Sequence, residues 1–152
     1  MPRVITIQAT YPGDPDTIFA EALDLGELRH AMSRIARYDR LPDKVMEEGD
    51  RYDVDITLYR LLRTRNHRMH VLGLDRAARV VESRESNPAV ARWDHTLTVE
   101  PAPGGALWTD RVVLDAGWRT GPTALFCRHV YVQRHRLRGA VSITSRIARG
   151  PG

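Results

Sequence analysis

Three patterns of apolar and polar positions divide the chain. Residues 3–10 (RVITIQAT) are rich in β-branched side chains and read as a strand, which Tyr11-Pro12-Gly13 breaks. Asp14-Pro15-Asp16-Thr17 reads as a helix start: Asp14 caps, Pro15 suits the first helical position, and Asp16 favours the positive helix end. Ile18, Phe19, Ala22 and Leu23 form the apolar stripe of that short helix. Leu28, Ala31, Met32 and Ile35 form the stripe of a second over 25–37. From residue 44 the period falls to two. Segments 44–47 and 51–62 flank a turn at Glu48-Gly49-Asp50, and strands at 65–75, 78–86, 91–100 and 106–117 follow. Pro101-Ala102-Pro103-Gly104-Gly105 is the clearest hairpin loop. Gly121-Pro122-Thr123 then opens a long helix reaching to Ser145, with Gly139 as its weak point.

Sequential strands with short loops imply an antiparallel meander. A sheet cannot leave its apolar face bare, and the long helix is the element left to cover it. The predicted class is therefore α+β: a seven-stranded curved antiparallel sheet wrapped around a long C-terminal helix, with two short helices between strands 1 and 2. At 152 residues the whole chain, 1–152, reads as one domain large enough to bury a core without staples. The 42% hydrophobic and 28% charged fractions are globular values. No apolar run is long enough for a membrane helix, the first residues lack a signal-peptide core, and the lone Cys127 excludes an internal disulfide framework. The expectation is a soluble, cytoplasmic protein.

Three stretches carry a resemblance that covers about 3–146. The first is the opening strand followed at once by Pro15-Asp16-Thr17-Ile18-Phe19. The second is Gly104-Gly105-Ala106-Leu107-Trp108-Thr109-Asp110-Arg111-Val112, a glycine hairpin leading into a T-D-R-V strand. The third is the aromatic, Arg/His-rich segment from Leu125 to Arg136. On these the chain resembles the START/Bet v 1-like superfamily (SRPBCC, polyketide cyclase/dehydrase-like). The resemblance implies a helix-grip fold with a cavity for an apolar or amphipathic small molecule such as a lipid. Such a cavity serves carriage, sensing, or the cyclisation and dehydration of polyketide-like substrates, without a cofactor. None of the three stretches is a catalytic motif, so they speak for architecture more than for chemistry.

Strand alternation then nominates the cavity wall. On 51–62, Tyr52, Val54, Ile56 and Leu58 share one face and Asp53, Asp55, Thr57 and Tyr59 the other; the carboxylates make the second the solvent face. A turn around 62–65 sets Leu58 opposite Met69 and Ile56 opposite Val71, with His67 at the end of the same face. Trp93, His95, Leu97 and Val99 share a face, as do Trp108, Asp110, Val112 and Leu114. A four-residue loop at 101–104 pairs Glu100 with Gly105 and places His95 directly opposite Asp110. A histidine–carboxylate pair inside a cavity suits general acid/base work, while the plain alternative is a polar pair satisfying itself in the core. On the last helix, Phe126, Val130, Leu137 and Val141 form a stripe in which either Gln133 or Arg134 fills the gap. Arg134 would offer a fork to a ligand carboxylate, and Tyr131 a hydroxyl on an aromatic body.

Charge adds one rival. The formal net charge is +4, and every basic residue except Lys44 is arginine. Most are scattered, which is the habit of a solvated surface, but Arg128, Arg134, Arg136, Arg138, Arg146 and Arg149 with His129 and His135 make the C-terminal end basic. That end would suit an RNA- or ribosome-binding module, although no aromatic platform for bases is present; a module that grips a protein is a separate rival. No metal is expected: His67 and His70 fall on opposite strand faces, His129 and His135 lie six apart on a helix, and H-E-x-x-H and paired cysteines are missing. The expected partner is a small molecule, bound by a monomer or homodimer.

Overall fold

The computed structural model describes residues 1–151. Its elements are β1 (Arg3–Pro12), α1 (Pro15–Leu23), α2 (Leu25–Met32), β2 (Ala36–Asp39), β3 (Arg51–Leu58), β4 (Leu62–Asp75), β5 (Val80–Asn87), β6 (Val90–Ala102), β7 (Gly105–Asp115), α3 (Thr120–Leu137) and β8 (Ser142–Arg149). The strands form one curved antiparallel sheet of eight, in the order β2-β3-β4-β5-β6-β7-β1-β8. The class is α+β as expected, with one strand more than the sequence predicts and a different set of strands.

Three local causes account for the difference. Segment 44–47 forms no strand; its only ladder-type pairing is the Asp24–Val45 bridge, and Leu41 and Met46 turn inward as a plug. The second helix stops at Met32, five residues before the predicted end, and Ala36–Asp39 instead pairs along β3. The long helix stops at Leu137. Gly139, at φ 80°, lets the Gly139 and Ala140 amides fold back onto the carbonyls of Arg136 and His135. This terminal wrap satisfies the orphan carbonyls and ends the helix. The freed residues Ser142–Arg149 alternate as a strand, with Ile143 and Ile147 partly buried, and pair with β1.

Both short helices are capped by aspartate. The Asp14 carboxylate accepts from the Thr17 amide at 3.1 Å, and Asp24 accepts from the Gly26 and Glu27 amides at 2.9 and 3.2 Å. Asp24 thus ends α1 and starts α2 at one residue, which sets the bend between them.

The β6–β7 turn is tighter than expected: Ala102 pairs with Gly105, leaving two residues in the loop. Gly105 also faces Pro12 of β1, and a Cβ there would lie 2.1 Å from the Tyr11 carbonyl oxygen. Only glycine permits that approach. The β3–β4 hairpin closes earlier than expected, with Leu58 opposite Leu62, Ile56 opposite Thr64 and Tyr52 opposite Met69. A bulge between Val54 and Ile56 sits beside Asn66, whose φ is 53°.

The core falls into two clusters on the concave face. One joins Phe19, Leu23, Leu25, Leu41 and Met46 to Tyr52, Val54, Val71 and Trp108. The other joins Ile5, Ile7, Val112 and Leu114 to Ala124, Cys127 and Tyr131 of α3.

Candidate functional site

Where the two clusters part, a cavity of about 290 Å³ remains between α2, α3 and the strands β3 to β6. One part of its wall is apolar, with Leu25, Leu28, Met32, Ile56, Leu58, Met69, Val81 and Leu97. The other carries His67, Ser83, Glu85, Asn87, Trp93, His95, Tyr131 and Arg134.

Several residues nominated from the sequence lie on this wall: Ile56, Leu58, Met69, Trp93, Leu97, Phe126, Val130, Tyr131, Arg134 and His95. Arg134, not Gln133, faces the cavity. Others do not reach it. Tyr52, Val54 and Val71 are covered by the plug of Leu41 and Met46 and the short helices, and the Tyr52 hydroxyl donates to the Asp50 carboxylate. Val112 and Leu114 are roofed by Ala124 and Cys127. Trp108 is overlaid by the end of α3, where His135 meets it edge-on at 4.9 Å between ring centroids. The buried side of α3 is Thr120, Ala124, Cys127, Tyr131 and His135, so the predicted stripe is rotated: Phe126 sits half-exposed at the cavity edge and Val141 is outside.

His95 and Asp110 meet, but not as direct partners. His95 is opposite Val112, and Asp110 is opposite Leu97. The register differs from the expected one by two residues, which keeps both side chains on the same face and lets them bond diagonally, at 2.8 Å. Asp110 itself is fully buried behind His95 and is no part of the wall. Its other oxygen accepts from His135 Nε2 at 2.8 Å, and the Trp108 indole donates to it at 3.2 Å.

The pair belongs to a longer buried chain. The Tyr11 hydroxyl lies 2.6 Å from His135 Nδ1. On the far side, His95 Nδ1 is 3.8 Å from Glu85 Oε1, and Glu85 Oε2 accepts from His67 Nε2 at 2.6 Å. Ser83 donates to Glu85, and Asn87 Nδ2 lies 3.2 Å from His67 Nδ1. The Asn87 oxygen already accepts from the Ala89 and Val90 amides, which fixes the amide group's orientation. Asn87 Nδ2 therefore donates to His67 Nδ1, and His67 carries its proton on Nε2, toward Glu85. The Asp110 carboxylate, an acceptor only, takes the Nε2 protons of His95 and His135, and the Tyr11 hydroxyl pairs with His135 Nδ1.

Electrostatics follow from this order. Burial pushes Asp110 and Glu85 up, but the imidazoles beside each outweigh it and hold both well below the usual carboxylate range. Burial works against charge on His95, yet Asp110 and Glu85 on either side overcome it and raise the imidazole to about 9. His95 is therefore an imidazolium at neutral pH, held between two carboxylates, and its role at that pH is to donate. Burial pushes the Tyr11 and Tyr131 hydroxyls and the Cys127 thiol up, so all three stay protonated. Among the described residues no group of three or more His, Cys, Asp or Glu is placed to hold a metal ion.

Sequence reasoning missed Glu85, Ser83, Asn87 and Tyr11, and read His135 as part of a basic face. Alternation on β5 does put Glu85 with Val81 and Ser83, facing a strand that presents Trp93 and His95. The spacing Thr120, Ala124, Cys127, Tyr131, His135 is a second legible stripe on α3. The basic C-terminal end is correspondingly smaller than its sequence suggests: His135 and Arg138 are buried, and Arg134 faces the cavity. Among the described residues no helix is long and apolar enough to cross a membrane.

No family model and no curated protein matches the sequence. Solved structures do match. Protein Ms6760 from Mycobacterium smegmatis aligns with TM-score 0.71 and 12% identity over 88% of this chain and 86% of its own. CV1439 from Chromobacterium violaceum gives 0.63 and 14%, over 88% and 95%. Ara h 8.0201, a Bet v 1 allergen, gives 0.63 and 12%, over 90% and 97%. With the eight-stranded sheet and the long C-terminal helix, these likenesses establish that the chain has the Bet v 1-like helix-grip fold.

Proposed function

We propose that the protein binds a hydrophobic or amphipathic small molecule in the cavity between sheet and α3, for carriage or sensing. The observation that carries this is the cavity itself, about 290 Å³, lined mostly by apolar side chains with a cluster of polar ones among them. A space of that size is at the lower end for ligand sites, and mixed walls of this kind orient a ligand as well as hold it. The fold of Ara h 8.0201 and of the bacterial neighbours supports a ligand-binding scaffold. Native mass spectrometry of the purified protein, followed by extraction, tests the reading. A co-purifying small apolar molecule is the expected result. Thermal unfolding that ignores every member of a panel of apolar and amphipathic compounds would count against it, because a ligand that binds the folded state must stabilise it.

A second reading, a cyclase or dehydratase of polyketide-like substrates, is favoured by His95. An imidazolium on the cavity wall, oriented by a buried carboxylate behind it, can protonate a ligand carbonyl or a leaving hydroxyl. In this reading His95 is the acid and Asp110 a positioning residue. His95→Ala then abolishes turnover, and the activity of the unaltered protein falls as pH rises past about 9. Turnover that survives the substitution removes His95 from the chemistry.

A further inference from the structure

Resting on the cavity reading, we infer that the bound molecule carries a carboxylate and that Arg134 receives it. Arg134 lines the cavity, yet its side chain makes no ion pair or hydrogen bond among the described residues, and its Nε is buried without an acceptor. Its neighbour one turn on, Arg138, has a side chain only 4% exposed and is paired to the Glu27 carboxylate. The two guanidinium groups lie 5.2 and 5.0 Å from the centroid of the Trp108 ring, so they share one aromatic platform. Two cations thus meet one carboxylate, whose Oε2 is itself unpartnered, and the buried Arg134 Nε and Arg138 Nε and Nη2 have no acceptor.

Among the described residues no other acid is paired with either guanidinium. Asp110, beneath Trp108, is committed to two imidazoles and the indole; Glu85 is committed to His67 and Ser83. Burial first, and then the nearby Arg134, pull Arg138 down to about 10 against the opposing pull of Glu27. A carboxylate at Arg134 would supply the missing charge, and its two oxygens match the planar fork. The Glu85 carboxylate repels an anion from the other polar side of the cavity. The head group therefore sits against α3, and the apolar body extends toward Met69, Ile56 and Leu28.

Calorimetric titration with decanoate and with decanol, which share a chain and differ in head group, tests this. Decanoate should bind about tenfold or more tighter than decanol, the range a hydrogen-bonded charge contributes. In Arg134→Gln decanoate should fall to the decanol value while decanol is unchanged. Arg134→Lys should recover part of the preference, and unfolding curves without ligand verify that both variants fold. Equal binding of the two probes to the unaltered protein overturns the carboxylate inference and leaves the cavity reading standing. So does full retention of decanoate affinity in Arg134→Gln. If neither probe binds, nor any member of the apolar panel, the cavity reading fails and the inference with it.

Discussion

Asp110 is bonded to His95 and His135 at 2.8 Å each, one reached across the sheet and the other from α3. A single carboxylate therefore joins β6, β7 and α3 at a point no water reaches, and its loss should be felt in all three.

Asp110→Asn removes the charge that both imidazoles address while leaving the shape almost unchanged. Removing one partner of a buried ion pair typically costs about 3–5 kcal/mol. A loss in that range, measured by urea unfolding, is the expected outcome. A loss below about 1 kcal/mol would show that the imidazoles find other acceptors.

Stability should fall on both sides of neutrality. His95 is raised from 6.5 to about 9 on folding, so its contribution is complete below about pH 6.5 and is lost as pH rises through 9. Asp110 and Glu85 are lowered, so their contribution is present above the ordinary carboxylate range and is lost as pH falls below it. Urea midpoints taken from pH 4 to pH 10 check this, and His95→Gln should flatten the decline between about pH 6.5 and 9. An alkaline decline of the same size in the variant would assign it to another group.

The three tryptophans occupy three environments, and ligand should reach one. Trp93 lines the cavity, Trp108 is sealed beneath α3, and Trp118 is 91% exposed. Fluorescence change on ligand binding should fall most in Trp93→Phe and persist in Trp118→Phe. Acrylamide quenching of the free protein should drop most in Trp118→Phe. A ligand signal that is undiminished in Trp93→Phe would move the occupied space elsewhere.

Much of the fold was legible because alternation and cap residues are local signals. Asp14-Pro15 marks α1, and the glycine hairpin marks the β6–β7 turn. The end of α3 was not, because the residues after Gly139 suit a strand only once β1 offers its free side. Nor was the true inward side of α3, where Cys127 and His135 replace larger apolar residues. The face of the His95–Asp110 pair was legible and its register was not: a loop two residues shorter conserves the side on which each residue points while changing every partner. The wider polar chain needs β4, β5 and β1 brought together, which no spacing within one segment reveals.

β1 lies between β7 and β8, so Ile7 finds its partners Asp110 and Ser145 only after more than a hundred further residues have been joined. During synthesis at about 5–20 residues per second, β1 waits roughly 5–20 s with both edges bare. An apolar strand in that state is a target for chaperones and for misplaced pairing. The seam between β1 and its two late neighbours can close only once residues 105–149 have been made. A chain released before Ser142 would leave one edge of β1 open, so truncation there should expose a sticky strand even though every residue of the cavity wall is still present.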